Sequence, residues 1–80
     1  MSPKAQHALS YRLLPAFLRT MRQKAGMTQR QLGAKLRKPQ SWVQNCEVAN
    51  RRVDVTEFIG WCKACGVAPI DAFKQLLNDL

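Results

Sequence analysis

Eighty residues make one small domain, with room for a single modest helical core. A chain of this size buries only about 60% of its unfolded surface, so self-association is a natural supplement. No run of about 18 apolar residues exists to span a membrane, and the opening MSPKAQHALS lacks the features of a secretory signal. The expected location is therefore the cytoplasm. Thirteen Lys and Arg against five Asp and Glu give +8, and the charge is segregated. Ten basic residues and one acid between Arg12 and Arg52 leave +9 there, whereas Val53 to Leu80 carries −2. A segregated positive half is the electrostatic footprint of a polyanion binder, although acidic proteins and anionic membranes would be attracted too. Three cysteines do not make a disulfide framework, and His7 is the only histidine, so no four-ligand zinc site closes within the chain. A reduced protein without metal or cofactor is expected.

The chain punctuates itself into five short helices and shows no alternating strand pattern. Leu14, Phe17, Leu18, Met21 and Ala25 recur at helical spacing, and Gly26 supplies a C-terminal stop. Pro15 suits only the start of that helix, which is expected to begin near Leu14 or to kink there. Residues 1–12 are expected to form a loose tail before a single domain over 13–80. Thr28 and Gln31 have the spacing of a capping box, with Met27 and Leu32 as the hydrophobic staple of a second helix that ends by Arg37-Lys38-Pro39. A third helix runs from about Pro39 to Val48, with Val43 and Cys46 on its inner face. Asp54 and Glu57 repeat the box for a fourth helix, about Val55 to Cys65, stopped by Gly66. Its inner stripe reads Val55, Phe58, Ile59, Cys62 and Cys65, with Trp61 beside it. A fifth helix starts at Pro69 and carries Ile70, Phe73, Leu77 and Leu80 on one face.

Two short helices joined by about three residues, over Thr28 to Glu47, have the geometry of a helix-turn-helix. Gly33 would let the third helix cross close above the second. The third helix is uneven: Val43 and Cys46 face in, while Gln40, Ser41, Gln44 and Asn45 face out. A merely solvated face carries Lys, Glu and Arg more often than amides. Gln and Asn can pair bidentately with adenine, and Ser can bond several base edges, so these four residues are candidate base readers in the major groove. Lys38, Arg51 and Arg52 flank the helix as candidate phosphate contacts, which set affinity and not sequence preference. Trp42 lies between the two faces; it either touches a thymine methyl or the DNA backbone, or packs as a partly buried ring.

The string MTQRQLGAKLRKPQSWVQNCEVANRRVDVTEF resembles the lambda-repressor-like, or XRE-type, helix-turn-helix family over Leu14 to about Val67. The shared features are a Leu-x-x-x-Arg first helix, Gly-hydrophobic-Thr-Gln, Leu-small-x-x-Leu, a Gln-Ser-x-Val opening and a closing Glu. The resemblance implies an all-α, compact five-helix DNA-binding domain of a small bacterial or phage-encoded transcriptional regulator. It further implies that Gln29 contacts phosphate and braces Gln40, and that Arg22 and Glu47 form a structural ion pair. Two positions depart from the family pattern. Arg37 stands where the turn usually has Gly, so the turn there either avoids the left-handed region or tolerates strain. Ala49 stands where a second Gly is usual, and the following Asn50 is able to take the left-handed conformation instead.

Trp61-Cys62-Lys63-Ala64-Cys65 imitates a thioredoxin-type active site. That chemistry needs a thiol at a helix N-terminus after a strand, whereas this pair falls late in a helix on an apolar stripe. No enzyme is expected, and no small-molecule effector site is legible. The alternative to a DNA reader is a protein-interaction module, an antitoxin or adaptor on the same fold. A homodimer through the C-terminal helix is expected, because one reading head covers only a half-site; equally, that stripe could close the core.

Overall fold

The computed structural model describes the backbone of residues 3–80 and the side chains of residues 13–80. Five helices follow in order: α1 (Pro3–Lys24), α2 (Gln29–Leu36), α3 (Gln40–Glu47), α4 (Val55–Ala64) and α5 (Pro69–Asp79), with no strand among the described residues. None of these helices is long and apolar enough to cross a membrane. The first helix does not wait for Leu14: it is already helical from Pro3, and Pro15 lies inside it as a buried residue. A proline within a helix forfeits one main-chain bond to the carbonyl four residues back, and here the turns on either side carry the helix past that gap. The loose tail expected over residues 1–12 concerns side chains outside the described residues.

Both capping boxes form. Gln31 N–H donates to Thr28 Oγ1 at 3.1 Å while Thr28 N–H donates to Gln31 Oε1 at 2.8 Å. Asp54 and Glu57 repeat the exchange at 2.8 and 2.9 Å. Those bonds satisfy first-turn amides that no helix can pair internally. Hydrogen bonds from the cap amides and Thr56, and from Arg51, hold the Asp54 and Glu57 carboxyls respectively below their ordinary range. Helix three starts one residue later than expected, with Pro39 as its N-cap in extended conformation and no side-chain cap.

The same device ends the first four helices. A residue in the left-handed region lets the next N–H reach back to a carbonyl five residues earlier, the Schellman arrangement. Met27 N–H donates to Arg22 O around Gly26, Lys38 to Gly33 around Arg37, Asn50 to Asn45 around Ala49, and Val67 to Cys62 around Gly66. Gly26 and Gly66 adopt φ 74° at no steric cost. Arg37 and Ala49 do so at φ 57° and 64°, so the turn keeps its left-handed backbone and carries the strain. Asn50 does not take over that role; Ala49 itself is left-handed. For a residue with a Cβ this conformation costs about 1–2 kcal/mol. Arg37→Gly and Ala49→Gly are each expected to stabilise the free protein by about 1 kcal/mol, after the greater unfolded-state entropy of glycine is deducted. Thermal melts should register each as a rise of about 4–8 °C. A lowered melting temperature in either variant would contradict the assignment of strain.

Leu18, Leu32, Val43, Cys46, Trp61 and Cys62 are fully buried and bring α1 to α4 around one centre, which Ala72 and Leu76 close from α5. Trp61, expected beside the stripe of α4, is the largest side chain of this core, and its indole N–H donates to Leu18 O at 3.1 Å. Val55, expected inside, is 73% exposed. It is the first residue of its helix, ahead of the turn that meets the core. On α5 the stripe Ile70, Phe73, Leu77 and Leu80 faces outward, and the core takes the adjacent stripe instead.

Candidate nucleic-acid interface

Helices α2 and α3 enclose a turn of three residues, Arg37 to Pro39. The close approach at Gly33 is made by the turn and not by the third helix: a Cβ at this position would meet the Lys38 carbonyl oxygen at 2.6 Å. Real Cβ atoms do not come that near, so the missing side chain lets the turn fold flat against α2. The result aims α3 outward, with Val43, Cys46 and Glu47 buried and Ser41, Gln44 and Asn45 exposed. Gln40 is half-buried at the start of the helix.

Beneath that face lies a polar chain rooted in the core. Arg22 Nε donates to Glu47 Oε2 at 2.6 Å and its NH2 to Glu47 Oε1 at 3.0 Å, a two-pronged pair between α1 and α3. Their side chains are 10% and 1% exposed. The guanidinium also donates to Met27 O at 2.8 Å, so it ties the loop after α1 to the same point. The hydrogen bond with Glu47 raises the Arg22 pKa further. Gln29, the first residue of α2, then links the pair to the surface. Its Nε2 donates to Glu47 Oε1 at 3.1 Å and to Gln44 Oε1 at 2.6 Å, and its Oε1 accepts from Gln40 Nε2 at 2.6 Å. The bond between Gln29 and Gln40 was implied by resemblance alone. The extension to Gln44 and Glu47 was invisible in the sequence, because it depends on how α2 crosses α3. Both side-chain N–H groups of Gln29 are thereby used within the protein.

The basic flank is organised by Trp42. Its ring, packed partly against the core, lies 6.2 Å from that of Trp61. Lys38 Nζ sits 5.3 Å from its centroid and Arg51 Cζ 4.8 Å, both within the range of cation–π attraction. A tryptophan read from sequence as a packing or contact residue is thus also the platform that gathers two cations at the edge of α3. Arg51 is further engaged by Glu57, with NH2 to Oε2 at 2.9 Å and NH1 to Oε1 at 3.0 Å. Its NH1 also donates to Arg52 O at 2.8 Å. The loop after α3 therefore presents Arg51 in a defined pose and not as a loose charge. Arg52 is exposed beside it.

The cysteine pair is built differently from a redox centre. Cys62 is fully buried in the last turns of α4, and Cys65 follows the helix as its C-cap. Burial pushes both thiols up, Cys65 to about 11, whereas a nucleophilic thiol needs the opposite shift. Among the described residues no cluster of His, Cys, Asp and Glu is placed to hold a metal ion. A groove of about 430 Å³ that the sequence reading did not foresee lies between α1 and α5, lined by Phe17, Met21, Val67 and Ala72 with Lys24 and Asp71 at its margins. It lies apart from the α2–α3 face.

A helix-turn-helix domain family model matches residues 13–73. Among solved structures, an XRE-family like protein from Pseudomonas syringae pv. tomato str. DC3000 superposes with a TM-score of 0.86 at 39% sequence identity, covering 94% of this chain and 92% of that one. The clp gene regulator ClgR from C. glutamicum superposes with a TM-score of 0.77 at 22% identity, covering 89% of this chain and 92% of its own, a likeness of fold. No curated protein sequence matches.

Proposed function

The chain belongs to the XRE-type helix-turn-helix family of DNA-binding regulators, and from that membership we propose that it is a sequence-specific reader of duplex DNA that lays α3 in the major groove. One observation carries this reading. The outer face of α3 presents uncharged hydrogen-bonding groups, Gln40, Ser41, Gln44 and Asn45, inside a frame of basic residues. Amides and a hydroxyl are suited to base edges, and the charged frame is suited to phosphates. Lys38 and Arg51, gathered on Trp42, and Arg52 hold one side of the backbone. On the other side the capping box uses the amides of Thr28 and Gln31, and those of Gln29 and Arg30 open the first turn of α2 toward a phosphate. Arg22 and Glu47 brace the unit from within and make no DNA contact. Two chains pair through the outward stripe of α5, so that two recognition helices meet successive half-sites about 34–36 Å apart.

Selection of bound sequences from random duplexes tests the reading. A motif of two related half-sites is expected, with affinity falling linearly in log salt by about 0.9 per phosphate neutralised. Gln40→Ala should cost roughly 1–3 kcal/mol on the selected site and relax preference at one base pair of each half. Failure to enrich any motif, or binding indifferent to salt, would overturn the proposal.

A further inference from the structure

We propose that the groove between α1 and α5 is a binding site for a small amphipathic amine, with an apolar body along the helices and its cationic end beside Asp79. The groove encloses about 430 Å³, within the roughly 300–1,000 Å³ typical of small-molecule sites. Small side chains keep it open: Ala16 on α1, Ala25 just after it and Ala72 on α5 line it where larger residues would fill it. Met21 and Ala72 are buried and Phe17 and Val67 half-buried, so the floor is apolar and continuous with the core. Covering that floor with an apolar body is favourable in proportion to the area removed from water, and a preformed site requires little ordering on binding. None of its walls comes from α2 or α3, so an occupant leaves the face proposed for DNA unobstructed.

The charges around the groove determine the polar end of the occupant. The C-terminus of α1 and the N-terminus of α5 come together at one end, where Ala25, Cys65 and Val67 gather. Lys24 stands there in the last turn of α1 and Asp71 in the first turn of α5, each matched to the dipole of its own helix and opposite in sign to the other. Asp79 is placed differently. It closes α5 about 12 Å farther along the axis. A helix C-terminus carries partial negative charge and favours a cation, yet the last turn of α5 holds no basic residue and adds this carboxylate. Among the described residues the ion pairs are made by Glu47 and Glu57, and Asp79 joins neither. In a chain of net charge +8, this end of the groove is thus locally anionic, and an ammonium group supplies the missing charge. An occupant bearing a carboxylate would meet like charge there, and a neutral one would leave Asp79 unmatched.

Three probes with one ring system separate body from charge: naphthylethylamine, naphthylethanol and naphthylacetate. Each is titrated into the full chain at low ionic strength, where surface charges are least screened, and followed by backbone amide shifts. Saturable shifts are expected over residues 13–25 and 65–79 and not over α3. The amine should bind about two- to fivefold tighter than the alcohol, the scale of a surface charge contact, and the acetate weakest. A16W should fill the groove and abolish binding of amine and alcohol alike; Ala16 is exposed, so the added ring need not enter the core. D79N should bring the amine down to the affinity of the alcohol, whereas D71N, whose charge Lys24 offsets, should leave the preference in place. Melting curves establish which variants are folded, and if A16W is not, D79N decides alone. Absence of saturable binding overturns the proposal, as does an amine preference that survives D79N or vanishes in D71N. Binding that survives A16W places the probes on the outer stripe of α5 and overturns it too. Groove shifts that grow with chain concentration and resist the amine identify a second copy of the chain as the occupant, which also overturns it.

Discussion

Glu47→Ala should remove about 3–5 kcal/mol of stability, the cost of leaving a buried partner charge uncompensated. A domain of this length has in total only about 0.05–0.15 kcal/mol per residue to lose, so the variant should be largely unfolded near physiological temperature. The size of the effect follows from geometry. Arg22 is 8% exposed, and two of the three protein acceptors around its guanidinium are the oxygens of Glu47. With the carboxylate gone, the cation keeps only the Met27 carbonyl. Replacing both partners by apolar side chains behaves differently, because no buried charge is stranded. An R22M/E47L protein should recover most of the lost stability. Its sequence discrimination should be weakened, since Gln29 would lose the buried carboxylate that anchors its amide beneath α3. Urea unfolding of the three proteins, followed by binding of the double variant to the selected duplex, separates the two roles of the pair. An E47A unfolding free energy within about 1 kcal/mol of wild type would show that the pair is ornamental.

Short-range features were the most legible in the sequence. Both capping boxes and the stops at Gly26 and Gly66 depend on residues within one turn of each other, and each formed as read. The stops at Arg37 and Ala49 depend on the same hydrogen bonds but lack the glycine that announces them. Tertiary packing of α2, α3 and α4 holds those residues left-handed against their own preference, and no local signal reports that. In helix four Cys62, Phe58 and Cys65 face the core as read, whereas Val55 is exposed and Trp61 sits at the centre, for a related reason. VTEFIGWCKA is apolar over much of its circumference, so spacing does not say which side meets the core. The indole of Trp61 decides it by reaching Leu18 O, 43 residues away in sequence. In the candidate site, the outward set on α3 could be read from its period, whereas the Gln29 hub and the Trp42 platform arise where separate helices cross. Neither has a sequence spacing of its own.

Phe73→Glu combined with Leu77→Glu should lower affinity for a site of two half-sites by about 10²–10⁴-fold while leaving binding to an isolated half-site unchanged. Phe73 and Leu77 are 48% and 53% exposed, between Ile70 at 62% and Leu80 at 60%. The core holds α5 by Ala72 and Leu76 on the neighbouring stripe, so the structure excludes the possibility that the outer stripe merely closes the domain. Four large apolar side chains in one row, on a helix otherwise satisfied by its own core, form an exposed apolar stripe of the kind the proposed two-fold pairing would use. Two like charges placed there meet their copies across the axis and oppose pairing, yet they sit outside the monomer core and should cost its fold little. Without pairing, the second recognition helix reaches its half-site only from bulk solution, and the advantage of a tethered second contact disappears. Light scattering should show the wild-type chain as a dimer and the variant as a monomer at the same concentration. A variant that binds the full site as tightly as wild type would place the pairing surface elsewhere on the molecule.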